Sequence, residues 1–366
     1  MLGEAFELRD YADLKGWRDD DHLAAFEAFQ RSALYALDKR YKDGGLGVSF
    51  KDLKPAFNGS LRAFVMDGPD ARQFFETWFI PALVKQEPGK QGHVTGFYEP
   101  VVKASRKKTA AFPVPLFSRP DDLVEINDST RPAAMDPYFR FARKTGTGLE
   151  EYPDRGEIER GALAGRGLEF VWLTDSVESF FIHVQGAARL QFADGTETRV
   201  TYSGKSGHHF TGPGRVLIDK GEIDPKTVSM QSIRIWLKAN PDRVNEILWH
   251  NRSFIFFGES PIGDPDLGPV AAAKVQLTAG RSMAVDRLMH VFGSPFFIDA
   301  PNVDGGDGKP FRRLMIAQDT GSAITGAARG DLFTGSGFDA GEIAGRINAP
   351  ADFYLLVPRK LAGAPL

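Results

Sequence analysis

The sequence predicts a mainly β chain with flanking helices, organised as a barrel domain interrupted by a smaller β-rich domain. Three observations support this. After Asn251 the apolar runs are short and separated by Gly/Pro loops: Phe254 to Phe257, Ser282 to Asp286, Phe296 to Ile298, Leu314 to Gln318, Leu332-Phe333 and Phe353 to Val357. Many short strands at modest spacing favour a small closed barrel over a parallel α/β sheet. From Val101 to about Ile247 the composition changes to a basic, proline-broken loop followed by new strand signals. Before Pro81, by contrast, apolar residues recur at helical spacing.

In chain order, Asp19-Asp20-Asp21 supplies a cap and an acidic first turn for a helix reaching about Leu37. Its apolar positions Leu23, Phe26, Ala33, Leu34 and Leu37 share a face. A second helix opens at Pro69, a residue suited to the first turn, and carries Phe74, Phe75 and Trp78. Aromatic stripes of this kind are usually core, and these are read as core. The block Thr95-Gly96-Phe97-Tyr98-Glu99-Pro100 reads as a strand end with a proline stop. Glu99, before proline, is held extended.

Next come the basic stretch Lys103 to Lys108 and prolines at 113, 115 and 120. Strands are expected over Leu168 to Leu173, Ala188 to Phe192 and Thr198 to Tyr202, with Asp194-Gly195 as a two-residue hairpin turn. Helices around Gln231 to Lys238 and Asp242 to Trp249 lead back to the first domain. The expected boundaries are 1–101 plus 248–366 for the barrel domain and 102–247 for the insert.

Composition narrows the function classes. A length of 366 suits two domains, and 42% hydrophobic with 25% charged residues is ordinary for a chain with a sizeable core. A formal net charge of −3 leaves no footprint for nucleic acid or an anionic membrane. No apolar run is long enough to span a bilayer. MLGEAFELRD lacks the basic start and apolar core of a signal peptide, so the chain reads as cytosolic or as a processed form. Without cysteine there is no disulfide or thiolate chemistry.

Chemistry concentrates between Met315 and Phe333, MIAQDTGSAITGAARGDLF. The apolar run Leu314-Met315-Ile316 reads as a buried strand that delivers Gln318 and Asp319 to its end, followed by Thr320-Gly321. Glycine there lets another backbone or a substrate approach closely. Asp331 follows twelve positions on (331 minus 319), before Leu332-Phe333. On spacing alone, Asp319 also fits a turn former that bonds its own backbone.

Six ordered blocks resemble the MltA family of lytic murein transglycosylases, whose C-terminal part is a three-aspartate domain. They are TGFYEP from Thr95, FFIHVQGAARLQFADG from Phe180, NRSFIFF from Asn251, RSMAVD from Arg281, AQDTGSAITG from Ala317, and AGRINAPADFYLLVP ending at Pro358. The resemblance implies a double-psi β-barrel, an inserted domain and a groove between the two. It implies that Asp319 is the catalytic acid, with Asp286 and Asp331 as the supporting aspartates. Substrate contacts are expected from Thr95, Gly96, Tyr98, Gln185, Gly186, Gln318, Thr320 and Gly321. It further implies a periplasmic enzyme associated with the outer membrane, monomeric, needing no metal or cofactor. Its partners would be peptidoglycan glycan strands and other cell-wall enzymes. The sequence departs from the family pattern at Lys274-Val275-Gln276-Leu277-Thr278, at Arg287 and Val291-Phe292-Gly293, and at Ser206 to Phe210.

Other chemistries fail on inspection. Gly204-Lys205-Ser206 is no phosphate loop, because position 199 is arginine. Gly335-Ser336-Gly337-Phe338-Asp339-Ala340 lies too near the C-terminus to open a dinucleotide fold. There is no H-E-x-x-H or G-x-S-x-G, and the seven histidines are scattered. Carboxylate chemistry remains. In a lytic transglycosylase the muramoyl 6-hydroxyl is the nucleophile, so one aspartate can serve as acid and then base. That acid must begin protonated, through burial or a neighbouring carboxylate. Two alternatives stay open: an ordinary endoglycanase using Asp319 with Asp331, and a peptidoglycan-binding module without turnover.

Overall fold

The computed structural model describes residues 3–87, 89–306 and 308–363. The chain divides into two compact units, one formed by residues 1–98 and 264–366 and the other by residues 99–263. Residues 248–263, expected in the barrel domain, pack with the second unit. The reason is the strand Ile255–Ser260, which pairs antiparallel with Glu197–Lys205 and so forms that unit's sheet edge.

In the first unit six strands close on themselves: β1 (Gly92–Glu99), β2 (Ser282–Val285), β3 (Pro295–Asp304), β4 (Pro310–Asp319), β5 (Arg329–Ser336) and β6 (Asn348–Pro358). The order around the ring is β6-β3-β4-β2-β5-β1 and back to β6. Closure depends on the length of β6. Its first residues, Asn348 to Ala351, pair with β1, while Asp352 to Leu355 pair with β3. Within the ring β2 pairs parallel with β4, while β2 with β5, β3 with β4, β3 with β6 and β1 with β6 pair antiparallel. TGFYEP therefore supplies a barrel strand, in place of the run at Phe254.

Three helices cover the outside of this ring: α1 (His22–Tyr35), α2 (Phe50–Ser60) and α3 (Gly68–Trp78). Asp21 caps α1 by accepting from the Ala24 amide. The neighbouring Asp20 instead forms a two-pronged ion pair with Arg281, at 2.8 and 2.9 Å, and accepts from the Leu314 amide. It thus ties the entry to α1 to two barrel strands. Helix α2 was not expected, because Pro55 interrupts its pattern. Its start is marked by a reciprocal capping box between Ser49 and Asp52.

Phe26, Phe29, Phe57, Phe74, Phe75 and Phe79 are buried together with Leu314, Met315 and Ile316 in one core. Strand β4 is therefore covered on both faces, which explains its unbroken apolar run.

The second unit has a four-stranded sheet in which Val101–Lys103, Ala187–Gln191, Glu197–Lys205 and Ile255–Ser260 are neighbours in that order. The hairpin at Asp194-Gly195 has a three-residue loop rather than two. Phe192 and Thr196 bond across it, Gly195 adopts φ 83°, and Asp194 accepts from the Thr196 amide. Smaller sheets pair Val114–Phe117 with Glu169–Leu173, and Leu123–Glu125, Phe141–Thr145 and Gly148–Glu150 with one another.

Candidate active site

Asp319 is the last residue of β4, and a β-bulge sets its position. Down the parallel pair, Ser282 lies opposite Ile316 and Met283 opposite Ala317, but Ala284 lies opposite Asp319, not Gln318. One residue has been inserted, which re-aims the side chain that follows it. On the other side of β2, Ala284 lies opposite Asp331 of β5. The two aspartates therefore stand level, one strand apart, with their Cα atoms roughly 10 Å apart by two strand spacings.

The inserted residue, Gln318, faces away from the acid. It is 0% exposed. Its amide nitrogen donates to the Ala28 carbonyl and the Ser32 hydroxyl, at 2.7 and 2.8 Å, and its oxygen accepts from Ser282 at 2.6 Å. An amide used up in this way inside the core is not available to a substrate, so the expectation of a substrate contact at Gln318 is corrected: it buttresses β4 against α1.

Asp319 is recessed but retains some solvent-accessible surface. One carboxylate oxygen accepts from the Ala272 amide at 3.2 Å, and the Thr320 amide also bonds the carboxylate. These donors favour the anion, but burial outweighs them, and Asp331 adds like charge. The acid is pushed up to about 6. Asp331 is also raised by burial, against the pull of the Thr95 hydroxyl and the Arg329 charge. Thr95 donates to Asp331 and accepts from Arg329 at 2.7 Å, so the three side chains form one hydrogen-bonded chain.

Asp286 does something different. Its two oxygens accept from the amides of Leu288, at 2.9 Å, and Gly326, at 2.8 Å. It pins the 320–328 loop that links Asp319 to Asp331. The like charge that raises Asp319 is that of Asp331. Of the two aspartates expected to support Asp319, Asp331 adds like charge beside it and Asp286 holds backbone.

The remaining expected contacts divide the same way. Gly96 allows close packing, since a Cβ there would stand 2.8 Å from the Ala344 backbone. Tyr98 is 8% exposed, with its ring against Gly341. Thr320 is partly exposed and Gly321 exposed, beside the acid. Gln185 ends the second unit's helix Ser176–Gln185, and Gly186 caps it at φ 76°. Glu99 is locked in an ion pair with Arg199, at 2.7 and 3.2 Å. Among the described residues, no cluster of three or more His, Cys, Asp or Glu could hold a metal.

Two family models match the chain. The MltA specific insert domain covers residues 93–258 and the 3D domain covers 281–357. A curated relative, membrane-bound lytic murein transglycosylase A of Escherichia coli (strain K12), is 31% identical over 312 residues, spanning 83% of this chain and 76% of the relative. The chain belongs to the MltA family.

Solved MltA-family structures agree with this. A membrane-bound lytic murein transglycosylase from Agrobacterium tumefaciens is 48% identical, with a TM-score of 0.92 over 98% of this chain and 99% of that one. MltA from Neisseria gonorrhoeae is 28% identical, with a TM-score of 0.79 over 98% of this chain and 94% of that one. The chain is thus an enzyme of the MltA family. The 3D model spans Asp286, Asp319 and Asp331 together.

Sequence reasoning did not find Arg329. It lies two residues before Asp331, on the same side of an alternating strand, and that spacing was the available signal.

Proposed function

We propose that this enzyme is a peptidoglycan lytic transglycosylase in which Asp319 alone serves as acid and then base. The reading rests on one observation: a recessed strand-end carboxyl pushed up to about 6, level with a second aspartate. Near pH 6 such a group carries a proton about half the time and can exchange it in both directions.

The bond cleaved is the β-1,4 link between N-acetylmuramic acid and N-acetylglucosamine. As the C1–O4 bond breaks, the leaving oxygen takes the Asp319 proton. The muramoyl 6-hydroxyl then closes on C1, and the Asp319 carboxylate takes the proton that this hydroxyl releases. The product ends in 1,6-anhydro-muramic acid, no water is consumed, and the aspartate returns to its starting form. The nucleophile belongs to the sugar, so proximity replaces an activated water.

Thr320 and Gly321 are the sugar contacts beside the acid in this reading, and Gln185 and Gly186 are those of the second unit. Thr95 acts on Asp331, while Gly96 and Tyr98 shape the wall. The six-stranded ring with its parallel β2/β4 pair supports a double-psi barrel. The relatives' description as membrane-bound supports an envelope location, and we place the activity in the periplasm. No helix among the described residues is long and apolar enough to cross a membrane.

Digestion of purified peptidoglycan in ¹⁸O-labelled water tests the chemistry. The expected first product is the anhydro form, without label. Labelled oxygen at C1 of the product as released would make water the nucleophile and the enzyme a hydrolase.

A further inference from the structure

We propose that Arg329 is a positioning residue of the acid site: through the Thr95 hydroxyl it holds the Asp331 carboxylate level with Asp319. The inference rests on the reading of Asp319 as the acid and adds what controls its proton. Three facts of geometry support it. The Arg329 guanidinium spans two acceptors, the Gly330 carbonyl and the Thr95 hydroxyl. Thr95, once it accepts from Arg329, has its own proton directed at Asp331. The β2 register then sets Asp331 and Asp319 on either side of Ala284.

Strand β1 supplies Thr95, β5 supplies both Arg329 and Asp331, and β4 supplies Asp319, so three strands contribute the four parts of the relay. Arginine suits the first position because its planar fork satisfies two acceptors while keeping its charge, which lysine cannot do with one geometry.

Arg329 favours the charged form of Asp331 against burial. A charged Asp331 opposes ionisation of Asp319. If the arginine charge is removed, Asp331 takes up a proton more readily. A neutral Asp331 then releases Asp319 to ionise at lower pH. The enzyme needs protonated Asp319, so the basic limb of its rate profile moves down. A direct effect of Arg329 on Asp319 would have the opposite sign, because loss of a nearby cation makes an acid harder to ionise. Among the described residues, Asp331 is the charged group that raises Asp319, and Arg329 is the charged group that lowers Asp331.

The test compares the full chain with Arg329→Gln, Arg329→Lys, Thr95→Val, Asp331→Asn and the double variant Arg329→Gln/Asp331→Asn. Two readouts are used: kcat/KM against pH on purified peptidoglycan, and ¹³C titration of the Asp319 carboxyl without substrate. In Arg329→Gln the basic limb and the carboxyl titration both move to lower pH by at least about half a unit. Asp331→Asn moves them the same way, and adding Arg329→Gln to it moves them no further. Arg329→Lys falls between Arg329→Gln and wild type, because it restores charge without the fork. Thr95→Val keeps both charges and gives a smaller downward shift; it serves as the second probe if Arg329→Gln does not fold.

An unmoved titration in folded Arg329→Gln, an upward shift, or a full further shift in the Asp331→Asn background overturns the proposal. The carboxyl titration is independent of turnover. A relay seen there alongside an active Asp319→Asn enzyme would therefore fault the assignment of the acid and not the relay.

Discussion

Two carboxylates, the recessed Asp319 in the barrel and the buried Glu99 at the start of the second unit, are treated in opposite ways. Glu99 is 1% exposed, and both its oxygens are held by the guanidinium of Arg199, itself 1% exposed, with Arg189 at 3.7 Å. Asp319 receives backbone amides and faces another carboxylate. The partners differ: a guanidinium engages both oxygens of Glu99 in a structural pair, while amides and a like charge surround Asp319, whose hold on its proton burial strengthens. A recessed carboxyl in a family motif block is therefore not yet an acid, since Glu99 also lies in TGFYEP.

The comparison is broken most severely at Asp319. Asp319→Asn removes donor and acceptor together and should lower turnover on peptidoglycan by about 10²–10⁴-fold, while pull-down on sacculi shows binding retained. The same substitution should stabilise the fold at neutral pH. An acid raised to about 6 in the folded state and near 3.9 unfolded binds more protons when folded, so wild type loses stability as pH rises from about 4 to 6. The non-titrating asparagine avoids that loss. Thermal melts at pH 4 and pH 7 should show the variant's advantage only at the higher value.

Glu99→Gln should do the reverse. It leaves Arg199 buried without its counter-charge and should cost about 3–5 kcal/mol of folding free energy, read by chemical denaturation. Turnover per folded molecule and the pH profile should stay those of wild type. A folded Glu99→Gln enzyme with a displaced pH limb would erase the distinction between the two carboxylates.

Asp331→Asn tests the like-charge contribution alone. One unit charge at roughly 10 Å and an effective dielectric near 20 is worth about one pK unit, so up to about a tenfold loss is expected at neutral pH and little loss at pH 4. Equal losses at both would mean that Asp331 acts by shape and not by charge.

The smallest effect concerns the loop that donates to the acid. Lys274 sits at φ 63°, a left-handed conformation unusual for a side-chain-bearing residue, and its amide closes a turn on Ala271 beside the Ala272 donor. Lys274→Gly should stabilise by about 1 kcal/mol, measured by denaturation, with the pH limb unmoved. A displaced limb would show that strain in this loop sets how firmly the amide holds Asp319.

These contrasts also mark where the sequence was readable. The helix opening at Asp21 and the aromatic stripe of α3 follow from residue type and local spacing, whereas Asp319 stands out only through the family resemblance, since its spacing alone also fits a turn former. The pairing of Glu99 with Arg199 crosses a hundred positions and leaves no local trace. Gln318 is expected as a substrate contact only from the family resemblance, and local sequence does not reveal an inserted residue; the register against β2 shows the bulge that turns it inward. The strand Ile255–Ser260 was grouped with the barrel because its composition matches, whereas its hydrogen bonds run to Glu197–Lys205. Asp286 illustrates the same limit: a carboxylate that only holds amides and one that faces a second carboxylate look alike until their partners are known.

The amide of Gln318 has one more consequence. Its two donated bonds end on Ala28 and Ser32, in a helix outside both matched family regions, which begin at residue 93. The strand carrying the acid is thus braced by a segment that neither signature includes. The three-aspartate region is accordingly not a portable cassette. Excised at its recognisable borders, or grafted onto another scaffold, it would carry its acidic residues intact while leaving behind the strut that keeps one of them in register.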